Sequence, residues 1–180
     1  MSLRRKSVIT LIHKIASNIA IAANVVGTFV VVALIAVVNY DIIARGIFNK
    51  PFLGAVEVVQ FSMVLIVFLQ LPDVVRVGRL TRSDGFLGLV KQRSPGVGRR
   101  MSQILDLISG VFMVIIAVAF WPEFLEMWES QDYFGVPGVF TAPWWPVKLV
   151  IFLSASLCAV HFALHVLTGG EAPRKQESGT

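Results

Sequence analysis

Residues 15–40 read IASNIAIAANVVGTFVVVALIAVVNY, with Lys14 before them and Asp41 after. Twenty-six positions pass without a charge, and most are Val, Ile or Ala. A hydrocarbon layer of about 30 Å needs about 20 helical residues. This stretch is therefore read as a membrane-spanning helix, and the rest of the chain is read outward from it. The composition agrees. Of 180 residues, 56% are hydrophobic and 15% charged, and the mean hydropathy is +0.75. A soluble domain of this size could not hide so much apolar side chain. A soluble enzyme, a disordered tail and a secreted disulfide scaffold are all poor fits. The single cysteine, Cys158, allows no intrachain disulfide.

Three further windows follow. Leu149 to Gly170 is charge-free between Lys148 and Glu171. The middle windows, Val58 to Pro72 and Leu107 to Pro122, are shorter and are flanked by carboxylates. Each reaches full length if one carboxylate sits at the membrane edge, where it costs little. Glu57 and Asp106 fall near the first turns of their helices, where the dipole favours an anion. The reading is an all-α integral membrane protein with four transmembrane helices. It has a basic N-terminus (1–14), one membrane domain (15–167) and a tail (168–180). The spans lie at about 15–40, 52–75, 101–121 and 147–167. A signal peptide is disfavoured because the first apolar stretch is too long and lacks an evident small-residue cleavage site.

The positive residues set the orientation. Thirteen of the sixteen Lys and Arg fall in the N-terminus, the 76–100 loop and the tail. Arg45, Lys50 and Lys148 fall on the other side. Both termini are therefore expected in the cytoplasm. This sorting accounts for the net charge of +5 without a nucleic-acid partner.

The loops differ in character. In the cytoplasmic loop 76–100, apolar residues alternate with basic ones, which suits an amphipathic segment against membrane lipids. Ser94-Pro95-Gly96 is expected to turn the chain into the third span. The periplasmic loop 122–146 is acidic and aromatic. Glu123, Glu126 and Glu129 recur every three residues, so the third helix should continue past the membrane with an acidic face. Gly135-Val136-Pro137-Gly138 is expected as a turn. Trp121, Trp128, Tyr133, Trp144 and Trp145 read as an aromatic belt.

No catalytic signature is present. Cys158, His161 and His165 share one helical face at i, i+3 and i+7. A metal or haem would need ligands from a second element, and His13 is the only other histidine. An interhelical polar contact is the default, and no metal or cofactor is expected. The span centres carry no carboxylate and few polar groups: Asn18, Asn24, Ser62, Gln70, Ser154 and Ser156. These suit interhelical hydrogen bonds, and Ala22, Ala23, Gly27 and Ala33 suit close packing. This is a scaffold's pattern more than a conduit's.

The outer end of the first span is distinctive: Asn39-Tyr40-Asp41-Ile42-Ile43-Ala44-Arg45-Gly46-Ile47-Phe48-Asn49-Lys50-Pro51, with Glu57 opening the second span. It resembles the small membrane subunit of tripartite ATP-independent periplasmic (TRAP) transporters, the DctQ-like family. That family shows an arginine, then Phe-Asn and a proline, then a glutamate at the start of helix two. Leu80-Thr81-Arg82-Ser83-Asp84 is similar to its His-x-Arg-x-Asp stretch, without the histidine. Pro143-Trp144-Trp145-Pro146-Val147 is similar to its Pro-x-Trp lead into the last helix. The resemblance covers roughly residues 15–167.

It implies a non-catalytic subunit of the bacterial inner membrane, packed against a large TRAP membrane subunit that carries the substrate and sodium sites. A periplasmic solute-binding protein would deliver an organic acid. Asp41, Arg45, Phe48, Asn49, Pro51, Glu57, Arg82, Asp84, Trp144 and Trp145 are candidates for the partner interface. Asp41 and Arg45, four apart, also suit a local ion pair. Glu123, Glu126 and Glu129 are candidates for docking the binding protein. The alternatives are a self-sufficient four-span transporter, a haem-binding electron carrier and a generic membrane-assembly protein.

Overall fold

The computed structural model describes residues 2–78, 93, 95–136 and 140–168; the side chains of 2–9, 95, 136, 140 and 168 lie outside the description. Four long helices carry the chain: α1 (Ser2–Phe48), α2 (Ala55–Val77), α3 (Pro95–Ser130) and α4 (Trp145–Thr168). Two short strands, β1 (Tyr133–Val136) and β2 (Phe140–Pro143), stand between α3 and α4. All four helices are long and apolar enough to cross a membrane.

The helices overrun their charge-free windows. Helix α1 has 47 residues, about 70 Å at 1.5 Å per residue. Nothing after Tyr40 breaks it: Asp41 and Arg45 are good helix company at i and i+4. The break comes at Asn49, whose φ of 49° is a left-handed conformation that asparagine tolerates. Helix α3 starts at Pro95, where the missing N–H costs nothing, and runs past Pro122 through all three glutamates to Ser130. The acidic helical extension is thus present. Residues 95–100, placed in the loop by the sequence, belong to this helix. The rest of the amphipathic reading, residues 79–92 and 94, lies outside the described residues, and Arg82 and Asp84 with it.

Of the expected turn at 135–138, Pro137 and Gly138 lie outside the described residues, and Gly135 and Val136 are strand rather than turn. They pair in an antiparallel ladder, Gly135 opposite Thr141 and Val136 opposite Phe140. Gly135 adopts φ 114°, which a side chain would resist. The Trp144 N–H donates to the Asp132 carbonyl at 3.1 Å and closes the hairpin onto the start of α4.

The helices form an open row, α1–α2–α4–α3. The two central helices, α2 and α4, run parallel, since the chain enters each from the hairpin end. Helix α3 joins the row mainly through α4, and α1 touches α4 only lightly. Of the most apolar stretch of α4, 44% is buried, against 6% for α1 and for α3. The small core sits between α2, α4 and α3: Val75, Cys158 and Phe162, with Leu71 and Met113 against them. Two glycines set helix separations. A Cβ at Gly27 would lie 2.9 Å from Gln70 Cγ and 3.2 Å from Leu69 Cβ, so α1 and α2 are in near contact there. At Gly110 it would lie 3.2 Å from Phe162 Cβ, on α4.

Candidate functional site

Polar side chains gather at three places. The first is the α1–α2 corner. Asp41 accepts from the Arg45 guanidinium at 2.9 Å and from the backbone N–H of Phe52 at 2.8 Å. One carboxylate thus joins the last turns of α1 to the chain beyond the break. The Lys50 N–H donates to the Ala44 carbonyl, and the rings of Tyr40 and Phe52 meet edge-on with centroids 6.3 Å apart. Gly54, at φ 99°, starts α2, and its carbonyl accepts from the Val58 N–H. Phe-Asn-x-Pro-Phe is therefore a stop-and-turn whose parts each have a local task. Phe48 is exposed and Pro51 reaches the solvent. Glu57 lies in the first turn of α2 and makes no ion pair among the described residues. Arg45 is paired with Asp41, not with Glu57.

The second place is the hairpin end of α3 and α4. Lys148, on the expected acidic side and against the helix dipole, has a partner: its Nζ meets Glu123 Oε2 at 2.6 Å and sits 5.1 Å from the Phe120 ring centroid. The sequence contains both residues, but only the α3–α4 register brings them together. Glu123 is thereby engaged within the chain, while Glu126 and Glu129 line the helix beyond it. The tryptophans divide. Trp145 packs edge-on against Trp128 at 5.1 Å, and Trp144 against Phe134 at 4.9 Å, with Phe134 stacked on Phe61 of α2 at 6.4 Å. Both Trp144 and Trp145 are partly buried inside the chain's own aromatic contacts. Trp121, Trp128 and Tyr133 keep exposed rings.

The third place is the end that bears the chain termini. Asn24 Nδ2 donates to Asp73 Oδ2 at 2.9 Å, tying α1 to α2. Arg76 holds the other Asp73 oxygen at 2.7 Å and reaches Ser17 Oγ at 3.4 Å. Among the described residues, Asn24 is the one expected interhelical polar residue that makes such a bond. The Cys158, His161 and His165 stripe is buried in the row, as its spacing implies, and the His161 ring lies edge-on to His13 of α1 at 6.4 Å. Among the described residues no three His, Cys, Asp or Glu side chains are placed to hold a metal ion.

Set against known families, the chain from Leu34 in α1 to Gly170 beyond α4 matches the family described as tripartite ATP-independent periplasmic transporters, DctQ component. The chain belongs to this family. The match takes in the α1–α2 corner, both central helices and the whole hairpin end. Within the DctQ component, then, the corner motif and the tryptophan pair are read as parts of a transporter component's membrane domain. No curated protein and no solved structure shows significant similarity to the chain. The Asp73–Arg76 pair lies inside the matched residues, and its α1 partners Ser17 and Asn24 lie before them.

Proposed function

We propose that this DctQ component is the small, non-catalytic subunit of a sodium-coupled TRAP transporter for an organic acid, and that it serves as a fixed scaffold for a large transport subunit. The observation that carries the reading is the open row. A self-contained carrier needs a polar site enclosed by its own helices, with broken helices or buried charges near the midplane. Here the spans meet chiefly through apolar and small residues, and α1 and α3 leave most of their apolar surface uncovered. The half-buried carboxylate Asp73 is paired with Arg76 and accepts a hydrogen bond from the Asn24 amide.

The charge sorting of the loops supports a bacterial inner-membrane orientation with both termini inside. In that orientation the α1–α2 corner and the hairpin end face the periplasm. Asp41, Arg45, Phe48, Asn49, Pro51 and Glu57, with Trp144 and Trp145, form the periplasmic contact with the large subunit, and Arg82 and Asp84 of the cytoplasmic loop form a second contact on the other face. Glu126 and Glu129 present negative charge to the solute-binding protein, and Glu123 does so less, being held by Lys148.

Reconstitution tests this. Vesicles holding this chain alone should take up no labelled organic acid under an inward sodium gradient. Vesicles that also hold the large subunit and the binding protein should do so. Uptake by the small chain alone would overturn the reading.

A further inference from the structure

Between α1 and α4, on the flank of α2, lies an open cleft of about 360 Å³. Ile19 and Ala23 of α1, Leu69 and Pro72 of α2, and Leu157 and Val160 of α4 form much of its wall. It extends along α4 from Val150 to Val160, about 15 Å at helical rise. All of this lies within the candidate spans. The row cannot close over it. Helix α1 is pinned to α2 by the Asn24–Asp73 bond and by the tight Gly27 contact, so it is not free to swing onto α4. Toward the terminal end, α1 and α4 do meet, with Ala16, Ala20 and His161 all buried.

Few things can fill such a space. Its lining is almost wholly carbon, and apolar cavities stay dry. A helix with its side chains is about 10–12 Å across, so a 15 Å length of one fills more than about 1,000 Å³, far more than the cleft holds. An apolar cavity of about 150 Å³ takes one benzene. On that scale 360 Å³ takes a flexible chain of about a dozen carbons, which is also the length of the cleft.

We infer that the cleft between α1 and α4 is a binding site for one acyl chain of a bilayer phospholipid, held as a structural lipid that completes the α1–α2–α4 packing. The inference needs only that these helices lie in a bilayer and is independent of the transport reading.

The test uses the full chain in phosphatidylethanolamine vesicles doped with phosphatidylethanolamine carrying a diazirine midway along one acyl chain. After irradiation, adducts are mapped by mass spectrometry. Adducts on Phe68, Leu69 and Leu157, which the cleft holds half-buried, should exceed those on the exposed α3 residues Val114 and Val118. Ala23→Phe fills the cleft from α1 and Ser156→Phe from α4. Each should abolish the excess and leave the α3 adducts unchanged, and a cooperative melt in detergent shows that each variant has folded. Adducts spread evenly over the exposed spans and unmoved by both variants would overturn the inference. So would an excess that disappears when the probe is offered to the intact complex from native membranes, because the cleft would then hold a partner's side chains.

Discussion

Asp41 is the residue on which the α1–α2 corner turns. It is one acceptor for two donors, the Arg45 guanidinium and the Phe52 N–H. The two bonds differ in consequence. An exposed i, i+4 ion pair contributes little, and the Arg45 side chain is 63% exposed. The N–H of Phe52 has no helical partner and depends on the carboxylate. Asp41→Ala should therefore lower the thermal midpoint of the purified chain more than Arg45→Ala does. The reverse ranking in a detergent melt would contradict this account of the corner. At the other end, Asp73→Leu should cost on the order of 2 kcal/mol, because it strands a half-buried Arg76 and the Asn24 amide together. Asn24→Leu, which removes one interhelical bond, should cost about 0.6–1.7 kcal/mol. Unfolding equilibria in the same detergent compare the two. The Lys148–Glu123 pair is half exposed, so a double-mutant cycle with Lys148→Met and Glu123→Gln should return a coupling below about 1 kcal/mol.

Among the elements, the four helices are legible in the charge-free windows because a bilayer demands an unbroken apolar run. Their ends are less so, because charge does not stop a helix once it reaches water. Asp41 and Arg45 extend α1, and Glu123, Glu126 and Glu129 extend α3. The hairpin is hidden for another reason: Gly135-Val136 reads locally as a turn, and only pairing with Phe140 and Thr141 makes it a strand. Helix neighbours are invisible to periodicity. The spacing of Cys158, His161 and His165 puts them on one face, yet only the packing shows that this face meets α1 and α2. The same holds for Lys148, whose partner lies 25 residues away. Gly27, by contrast, is a small residue expected at a close contact and found at one. Gly27→Ala should destabilise the α1–α2 pair by about 1–3 kcal/mol, since Gln70 must move. Gly110→Ala, whose Cβ has slightly more room, should cost less. Equal losses in steric-trapping or thermal measurements would mean that the α1–α2 contact is looser than described.

For the whole molecule, the open row is the decisive feature. A four-helix chain that buries 6% of the apolar stretch of two of its spans has a great deal of surface left for lipid or for another membrane protein. The DctQ family is a component of tripartite transporters, which implies a further membrane subunit as a partner. The most direct measurement is affinity purification of this chain from native membranes in mild detergent, with mass spectrometry of what it brings along. The account predicts a stoichiometric, larger and very hydrophobic transport subunit, retained in wild type and depleted by Arg45→Ala. A chain recovered alone as a stable homo-oligomer would contradict it.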